Sequence, residues 1–196
     1  MPKDVDNRIK AAHASFGRLA HRVFNNHGLT IKTKIMVFRA VVLSTLLYAC
    51  ETWTLYRRDI RRLERFQQSK LRGILRIRWQ DRITNNEVLL RASLPSIEAS
   101  ILQHRLRWAG HIHRMDSSRL PRRILYGELA GGRRTQGAPK RRFKDQLKET
   151  LNLTGIEPST SKKTAEDQNS WRQAVRMGTN DFEKTSSRRA EAKRLE

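Results

Sequence analysis

The sequence predicts a mainly α-helical protein. Three observations predict this class: apolar residues recur three, four and seven positions apart, capping residues precede several such stretches, and glycine or proline ends them. The predicted architecture is a multi-helix N-terminal core over residues 5–115, a basic linker over 116–139, a small helical part over 140–178 and a charged tail over 179–196. We expect the tail to be disordered or a solvated helix.

The first half of the predicted core contains two helical stretches. Residues 5–24 carry apolar side chains on one helix face, and residues 25–28 supply a stop that ends in glycine. Residues 30–48 are apolar on most faces, which is typical of a buried helix. A strand remains the alternative for this run, because it is rich in β-branched residues. We expect it to form the centre of the core.

A third stretch, residues 57–75, combines an apolar stripe with dense positive charge. Only two acidic residues in it, Asp59 and Glu64, oppose the basic ones. The basic residues are Arg57, Arg58, Arg61, Arg62, Arg65, Lys70 and Arg72. We expect several of these arginines to share an exposed face that could follow a phosphate backbone.

Two further helices complete the predicted core. Thr84 and Glu87 have the spacing of a capping box, so a short helix should begin at Thr84. Ser96 is the expected cap of a longer helix. The predicted inner side of that helix consists of Ile97, Ile101, His104, Trp108, Ile112 and Met115.

Beyond this helix the chain becomes strongly basic. Residues 119–144 contain nine basic residues and one acidic residue, a net charge of +8 over 26 residues, and glycines interrupt the periodicity. Helical periodicity returns at Phe143 and ends at Gly155. A last amphipathic stretch surrounds Trp171 and is expected to stop near Gly178.

The charge balance points to a polyanionic partner. The 196 residues include 41 Lys and Arg against 19 Asp and Glu, a formal charge of +22. Such an excess is typical of proteins that bind nucleic acid or an anionic membrane surface. The longest apolar run, residues 35–50, is interrupted by Arg39 and is too short to cross a bilayer. Because the basic residues surround the helices rather than flank one apolar face, nucleic acid is favoured over a membrane.

The cysteine content and the N-terminal residues bear on the cellular location. Cys50 is the single cysteine, so no intramolecular disulfide can form and a reducing compartment is expected. The first residues lack the apolar region of a secretory signal. We therefore expect an intracellular location, either nuclear or associated with ribonucleoprotein.

Two kinds of side chain are candidates for nucleic-acid contact. The run Lys140-Arg141-Arg142, with Arg133 and Arg134 upstream, suits phosphate contact without sequence readout. A solvated charged face or a nuclear import signal is the alternative for these residues.

Three tryptophans near arginines, Trp79, Trp108 and Trp171, could offer stacking faces. The alternative is a place in the core, which we expect for Trp108 and Trp171. Asp81 is expected to cap the turn after Trp79.

The sequence predicts neither catalytic residues nor a metal site. It has no nucleophile elbow, no phosphate-binding loop and no H-E-x-x-H motif, and its aspartates are scattered. His104, His111 and His113 are close in sequence, with Cys50 available elsewhere, but their spacing does not suit two ligands on one helix. His104 is therefore predicted to be a half-buried core residue, and no cofactor is expected.

A series of short motifs resembles a known family. The segment Leu46–Thr54 resembles a motif that follows the polymerase core of non-LTR (LINE-type) retrotransposon reverse transcriptases. Further segments that resemble the family follow in the same order: residues 63–67, 71–75, 79–85, 105–111 with Arg114-Met115, 137–142, and 165–167 with Trp171-Arg172. Each motif is weak alone, but their order and spacing are specific, and the resemblance as a whole covers roughly residues 5–176.

The resemblance implies a role beyond the catalytic palm. Residues 5–50 look like the thumb, and the remainder looks like the helical C-terminal region that is expected to hold the RNA template and the target DNA. The catalytic aspartate pair and the endonuclease domain of the family have no counterpart here. The binding residues that the resemblance and the basic run together imply are Arg105, Arg107, His111, Arg114, Arg133, Arg134, Lys140, Arg141 and Arg142.

The functional prediction is a nucleic-acid-binding segment without its own polymerase or endonuclease site. Two alternatives stay open: a non-catalytic part that supports reverse transcription with a polymerase core supplied in trans, and a decayed remnant or structural helical module without activity. RNA and DNA are equally compatible with the sequence, and the oligomeric state is not predicted.

Overall fold

The computed structural model describes residues 2–127, 137 and 142–195, and these residues form helices and turns without a β-strand. The mainly α class is therefore confirmed. The α-helices within the described residues are α1 (Pro2–Leu19), α2 (Ile31–Val37), α3 (Ser44–Leu46), α4 (Arg57–Leu75), α5 (Asn85–Ala92), α6 (Ile97–His113), α7 (Leu120–Tyr126), α8 (Phe143–Leu153), α9 (Ser161–Glu166) and α10 (Gln168–Leu195).

The chain divides into two compact units. The first comprises Met1–Ala49 and Leu55–Glu98, and the second comprises Cys50–Thr54 and Ala99–Glu196. Most of α6 therefore groups with the C-terminal helices, although the sequence analysis assigned it to the N-terminal core. The physical reason is that Leu106 of α6 packs in one apolar cluster with residues from α8, α9 and α10.

The first unit begins with helices whose ends are set by local chemistry. α1 continues through a π-helical turn at Ala20–Phe24, and the chain then leaves the helix at the predicted stop. The Thr30 hydroxyl accepts the Thr33 N–H at 3.2 Å, which caps α2. A second π-helical turn, Phe38–Leu43, joins α2 to α3, so the strand alternative for this run is wrong.

The run over residues 30–48 is less buried than its composition predicts. Phe38, Val42 and Leu46 are completely buried, but Met36 is 62% and Tyr48 is 63% exposed. The prediction of a helix buried on most faces is therefore wrong at the outer face. Since α1 and α4 are the helices that pack against this segment, one side of it stays in solvent.

α4 and α5 begin and end where the sequence predicts. The apolar stripe of α4 is buried through Leu63, Phe66 and Leu71. Thr84 caps α5 by accepting the Glu87 N–H at 3.1 Å, which confirms the predicted cap.

The second unit has its own apolar core. Leu106, Leu151 and Trp171 are buried together with Ala165 and Val175. The Trp171 indole Nε1 also donates a hydrogen bond to the Leu106 carbonyl oxygen at 2.9 Å. The core position predicted for Trp171 is therefore confirmed.

Two predictions for the C-terminal half need correction. The segment predicted to be an unstructured basic linker contains α7, whose first turn includes Pro121, a residue with the φ angle that a helix start requires. α10 does not stop near Gly178 but continues to Leu195. Gly178 lies where a Cβ would be 2.3 Å from the Thr154 carbonyl oxygen, so this glycine permits close packing instead of ending the helix.

Candidate nucleic-acid interface

An exposed stripe of three arginines runs along α4. Arg58, Arg61 and Arg65 are spaced three and four residues apart, which places them on one helix face. All three are exposed and make no hydrogen bond or ion pair with another residue that the structure describes. We call these residues the α4 stripe. They were predicted as part of an exposed basic face but not included among the candidate binding residues, which the family resemblance placed elsewhere.

Other arginines of the first unit are engaged by carboxylates. Arg57 pairs with Glu98, and Arg62 pairs with Asp6. Within α5, Arg91 Nε lies 2.9 Å from a Glu87 carboxylate oxygen, an i to i+4 ion pair. The positive charge of each of these three arginines is therefore balanced by a nearby carboxylate, unlike that of the α4 stripe, for which the described residues provide no ion pair.

A second feature of the first unit is the exposed Trp79. Its side chain is 85% exposed, and it lies in a short 3-10 turn, Trp79–Asp81. The Asp81 carboxylate accepts the Arg78 N–H at 2.7 Å, which confirms the predicted capping role of Asp81. Arg78 and Arg82, on either side of this turn, are exposed as well.

The structure overturns the prediction for Arg105. Its side chain is buried, at 5% exposure, and donates to the Thr150 hydroxyl at 2.8 Å, the Trp53 carbonyl at 2.9 Å and the Gln146 side-chain oxygen at 3.0 Å. The planar guanidinium can reach three acceptors from different segments, which suits arginine to such a position. Arg105 is therefore a structural residue of the second unit and has no surface for a phosphate.

The other predicted residues of α6, and Arg114 in the turn directly after it, lie near the surface. Arg107 and His111 are exposed, and Arg114 is partly exposed while it donates to the Ala165 carbonyl at 2.7 Å. Their spacing of four and three residues places them on one face, about half a turn from Arg105. The structure therefore groups three of the four predicted residues and separates the fourth.

The face of α6 that is buried in the structure differs from the face that the sequence predicted to be buried. His104, expected to be half-buried in the core, is exposed, whereas its neighbour Arg105 is buried. Partial desolvation still lowers the pKa of His104. Trp108 lies at the edge, half-buried, with its ring centroid 5.1 Å from that of Phe143. Trp108 is therefore only partly buried, although a core position was expected.

The basic run of the C-terminal half falls largely outside the described residues. Arg133, Arg134, Lys140 and Arg141 lie there. Arg142 is described and is exposed, and its guanidinium pairs with the Asp145 carboxylate at 3.1 Å at the start of α8.

A cationic cavity of about 370 Å³ lies beside α7 in the second unit. Its lining residues are His113, Ser117, Arg122, Arg123, Tyr126 and Lys162. Arg122 is held in place by donating to the His113 carbonyl at 2.8 Å and to the Met115 carbonyl. Burial and, after it, the nearby Arg122 charge lower the pKa of His113, which favours its neutral form. The cationic side chains of the lining are therefore Arg122, Arg123 and Lys162. Sequence patterns do not predict this cavity, because its lining residues come from α6, α7, α9 and the segment between α6 and α7.

One group of potential metal ligands occurs among the described residues of the second unit. The ligand atoms of Cys50, Glu51 and His104 lie within 4.8 Å of one another. Burial raises the pKa of the Cys50 thiol to about 12, so the thiol is protonated at neutral pH. A metal bound there would have to displace this proton, and the positive charge of Arg105 nearby opposes a cation. Cys50 and His104 were considered as possible metal ligands from the sequence, whereas Glu51 was not.

Comparison with known proteins does not assign the chain to a family. No protein-family model matches the chain, and neither a curated protein nor a solved structure does. None of the helices in the described part of the chain has both the length and the apolar character that a membrane span requires.

Proposed function

We propose that this chain is a nucleic-acid-binding protein that contacts RNA or DNA through phosphates and has no catalytic centre of its own. The observation that carries the proposal is the α4 stripe. Arg58, Arg61 and Arg65 lie exposed on one face of a helix whose opposite face is anchored in the core, and none of them forms an ion pair with another described residue.

The spacing of the stripe suits a phosphate backbone. From Arg58 to Arg65 the helix rises about 10 Å, and one strand of DNA advances about 3.4 Å per nucleotide. Three guanidinium groups can therefore meet about three consecutive phosphates, and each contact releases condensed counterions. Contacts of this kind carry affinity but little sequence information.

The family resemblance supports the same proposal. The C-terminal region of non-LTR reverse transcriptases is expected to hold the RNA template and the target DNA, and the motifs over residues 46–54 and 105–111 resemble that region. On this ground we propose a nuclear or ribonucleoprotein-associated location, with any polymerase core supplied in trans.

The proposal is tested by measuring how affinity depends on salt. In a filter-binding titration at two salt concentrations, the full chain should bind duplex DNA more weakly at the higher salt. Replacing Arg58, Arg61 and Arg65 together with glutamine should weaken binding at low salt and reduce the slope of log affinity against log salt by about one per arginine removed.

A matched variant separates phosphate contact from net charge. Replacing Arg57, Arg62 and Arg91 with glutamine removes the same charge from three arginines that already have acidic partners. This control should change the salt slope much less than the stripe variant does. Affinity of the unaltered chain that is indifferent to salt, or equal slopes for the two variants, would contradict the proposal.

A further inference from the structure

Trp79 is the most exposed of the large apolar side chains that the structure describes. At 85% exposure, most of its surface is open to solvent. The other three tryptophans differ from it: Trp53 and Trp171 are buried, and Trp108 is half-buried against Phe143. Tryptophan is rarely left this accessible without a partner, because its apolar area is large.

The backbone around Trp79 is held in a defined shape. Besides the Asp81 cap, the Asp81 N–H donates to the Arg78 carbonyl at 3.2 Å, and the Arg82 N–H donates to the Trp79 carbonyl at 3.3 Å. Arg76 and Arg82, before and after the turn, both have left-handed φ angles, of 56° and 47°. At these two positions the left-handed conformation caps the end of α4 and the end of the 3-10 turn, as it commonly does at helix C-termini. These hydrogen bonds therefore hold the backbone at Trp79 in a defined conformation.

The charge around the indole identifies the kind of partner. Arg78 and Arg82 are exposed beside Trp79, and Asp81, the acidic residue of the turn, is occupied in capping the backbone. A flat apolar ring between guanidinium groups is complementary to a flat base between phosphates. An apolar protein surface would leave the two arginines without a counter-charge.

We infer that Trp79 stacks on an unpaired base of a single-stranded nucleic acid, with Arg78 and Arg82 beside the adjacent phosphates. This inference rests on the proposed function and adds to it the preferred substrate class. In a duplex the base faces are covered by neighbouring base pairs, so the indole has no face to contact. Trp79 therefore confers a preference for single strands, whereas the α4 stripe serves both forms.

The test compares single-stranded and duplex probes of equal length. The full chain is titrated with oligothymidylate, oligouridylate and a DNA duplex. Replacing Trp79 with alanine should weaken binding of either single strand by about tenfold and leave duplex binding within about twofold. Phenylalanine at this position should retain most of the single-strand affinity, because its ring still stacks, and leucine should not.

Leu90 provides the matched control. It is 73% exposed and lies in the same unit, so Leu90→Ala removes a comparable exposed apolar side chain without a π-face. This variant should bind all probes as the unaltered chain does. Because both side chains are exposed, neither replacement should lower the thermal midpoint measured by circular dichroism.

Intrinsic fluorescence gives an independent readout. The chain has four tryptophans, and the three others are buried or half-buried, so quenching by oligothymidylate should come from Trp79. The Trp79→Phe variant should lose this quenching while it still binds. Quenching that persists in Trp79→Phe would overturn the inference.

The outcomes distinguish the inference from the proposed function. If Trp79→Ala weakens single-strand and duplex binding equally, or changes neither, stacking on an unpaired base is overturned. The phosphate proposal then still stands if the salt slope and the effect of the α4 stripe variant remain. If Trp79→Ala changes only self-association of the chain, the indole contacts a second copy and the inference is overturned as well.

Discussion

α4 and α6 are helices of similar length, 19 and 17 residues, yet they use arginine in opposite ways. On α4, Arg58, Arg61 and Arg65 are exposed and form no ion pair with another residue in the described part of the chain. On α6, Arg105 occupies the middle of the buried face and binds three oxygen acceptors. The difference shows that the number of arginines does not measure a binding surface, because the partners of each guanidinium decide whether it is available.

The comparison predicts its largest effect at Arg105. Replacement by alanine removes the buried guanidinium that donates to the Thr150 hydroxyl, the Trp53 carbonyl and the Gln146 side-chain oxygen. We expect the free energy of unfolding to fall by about 3 kcal/mol, measured by urea denaturation. Arg107→Ala, which removes the exposed arginine two residues further on, should change it by less than about 0.5 kcal/mol. Similar effects of the two replacements would abolish the distinction between buried and available arginines.

The glycines of the two helices sharpen the same comparison. A Cβ on Gly110 of α6 would lie 2.1 Å from Trp171 Nε1, whereas a Cβ on Gly73 of α4 would meet no atom within 4 Å. Gly110→Ala should therefore destabilise the chain by about 2 kcal/mol through overpacking. Gly73→Ala should stabilise it by about 0.5–1 kcal/mol, because alanine loses less backbone entropy in a helix. Thermal unfolding of the two variants should show shifts of opposite sign; shifts of the same sign would contradict the packing of α6.

The smallest predicted effect concerns pH and the Cys50 thiol. Burial raises its pKa from 9.0 to about 12 in the folded chain. Between these values the folded state keeps a proton that the unfolded state loses, so stability falls as pH rises through about 9. From about pH 8 to about pH 10, the unfolding free energy of the unaltered chain should fall by about 1.4 kcal/mol more than that of Cys50→Ala. Parallel pH profiles of the two proteins would show that the thiol titrates normally.

Local sequence features were sufficient for much of the first unit. The stop at residues 25–28, the bounds of α4 and the Thr84 cap were all predicted, because each depends on residues within one or two turns. The alternation that buries Leu63 and exposes Arg61 is likewise a property of a single helix. The exposed arginine face was predicted for this reason, although the residues of the α4 stripe were not singled out.

The errors occur where distant residues compete for the same helix face. Periodicity placed His104 inside α6 and Arg105 outside, about a quarter turn from the buried face that forms. An arginine can be buried there because Gln146, Thr150 and the Trp53 carbonyl supply acceptors, and no window around Arg105 contains them. Gly178 was mistaken for a helix end for a similar reason: its role depends on Thr154, which belongs to another segment.

The sequence by itself determined the helical class, the helix ends set by local caps, and the large excess of positive charge. Only the tertiary structure decided which cations are available, because burial, ion pairs and hydrogen bonds to distant segments distinguish Arg105 and Arg62 from the α4 stripe. It also decided that Trp79, unlike Trp171, stays in solvent. Charge and helical periodicity follow from the local sequence. Whether a given cation is available to bind a partner depends on contacts between residues that are far apart in the sequence.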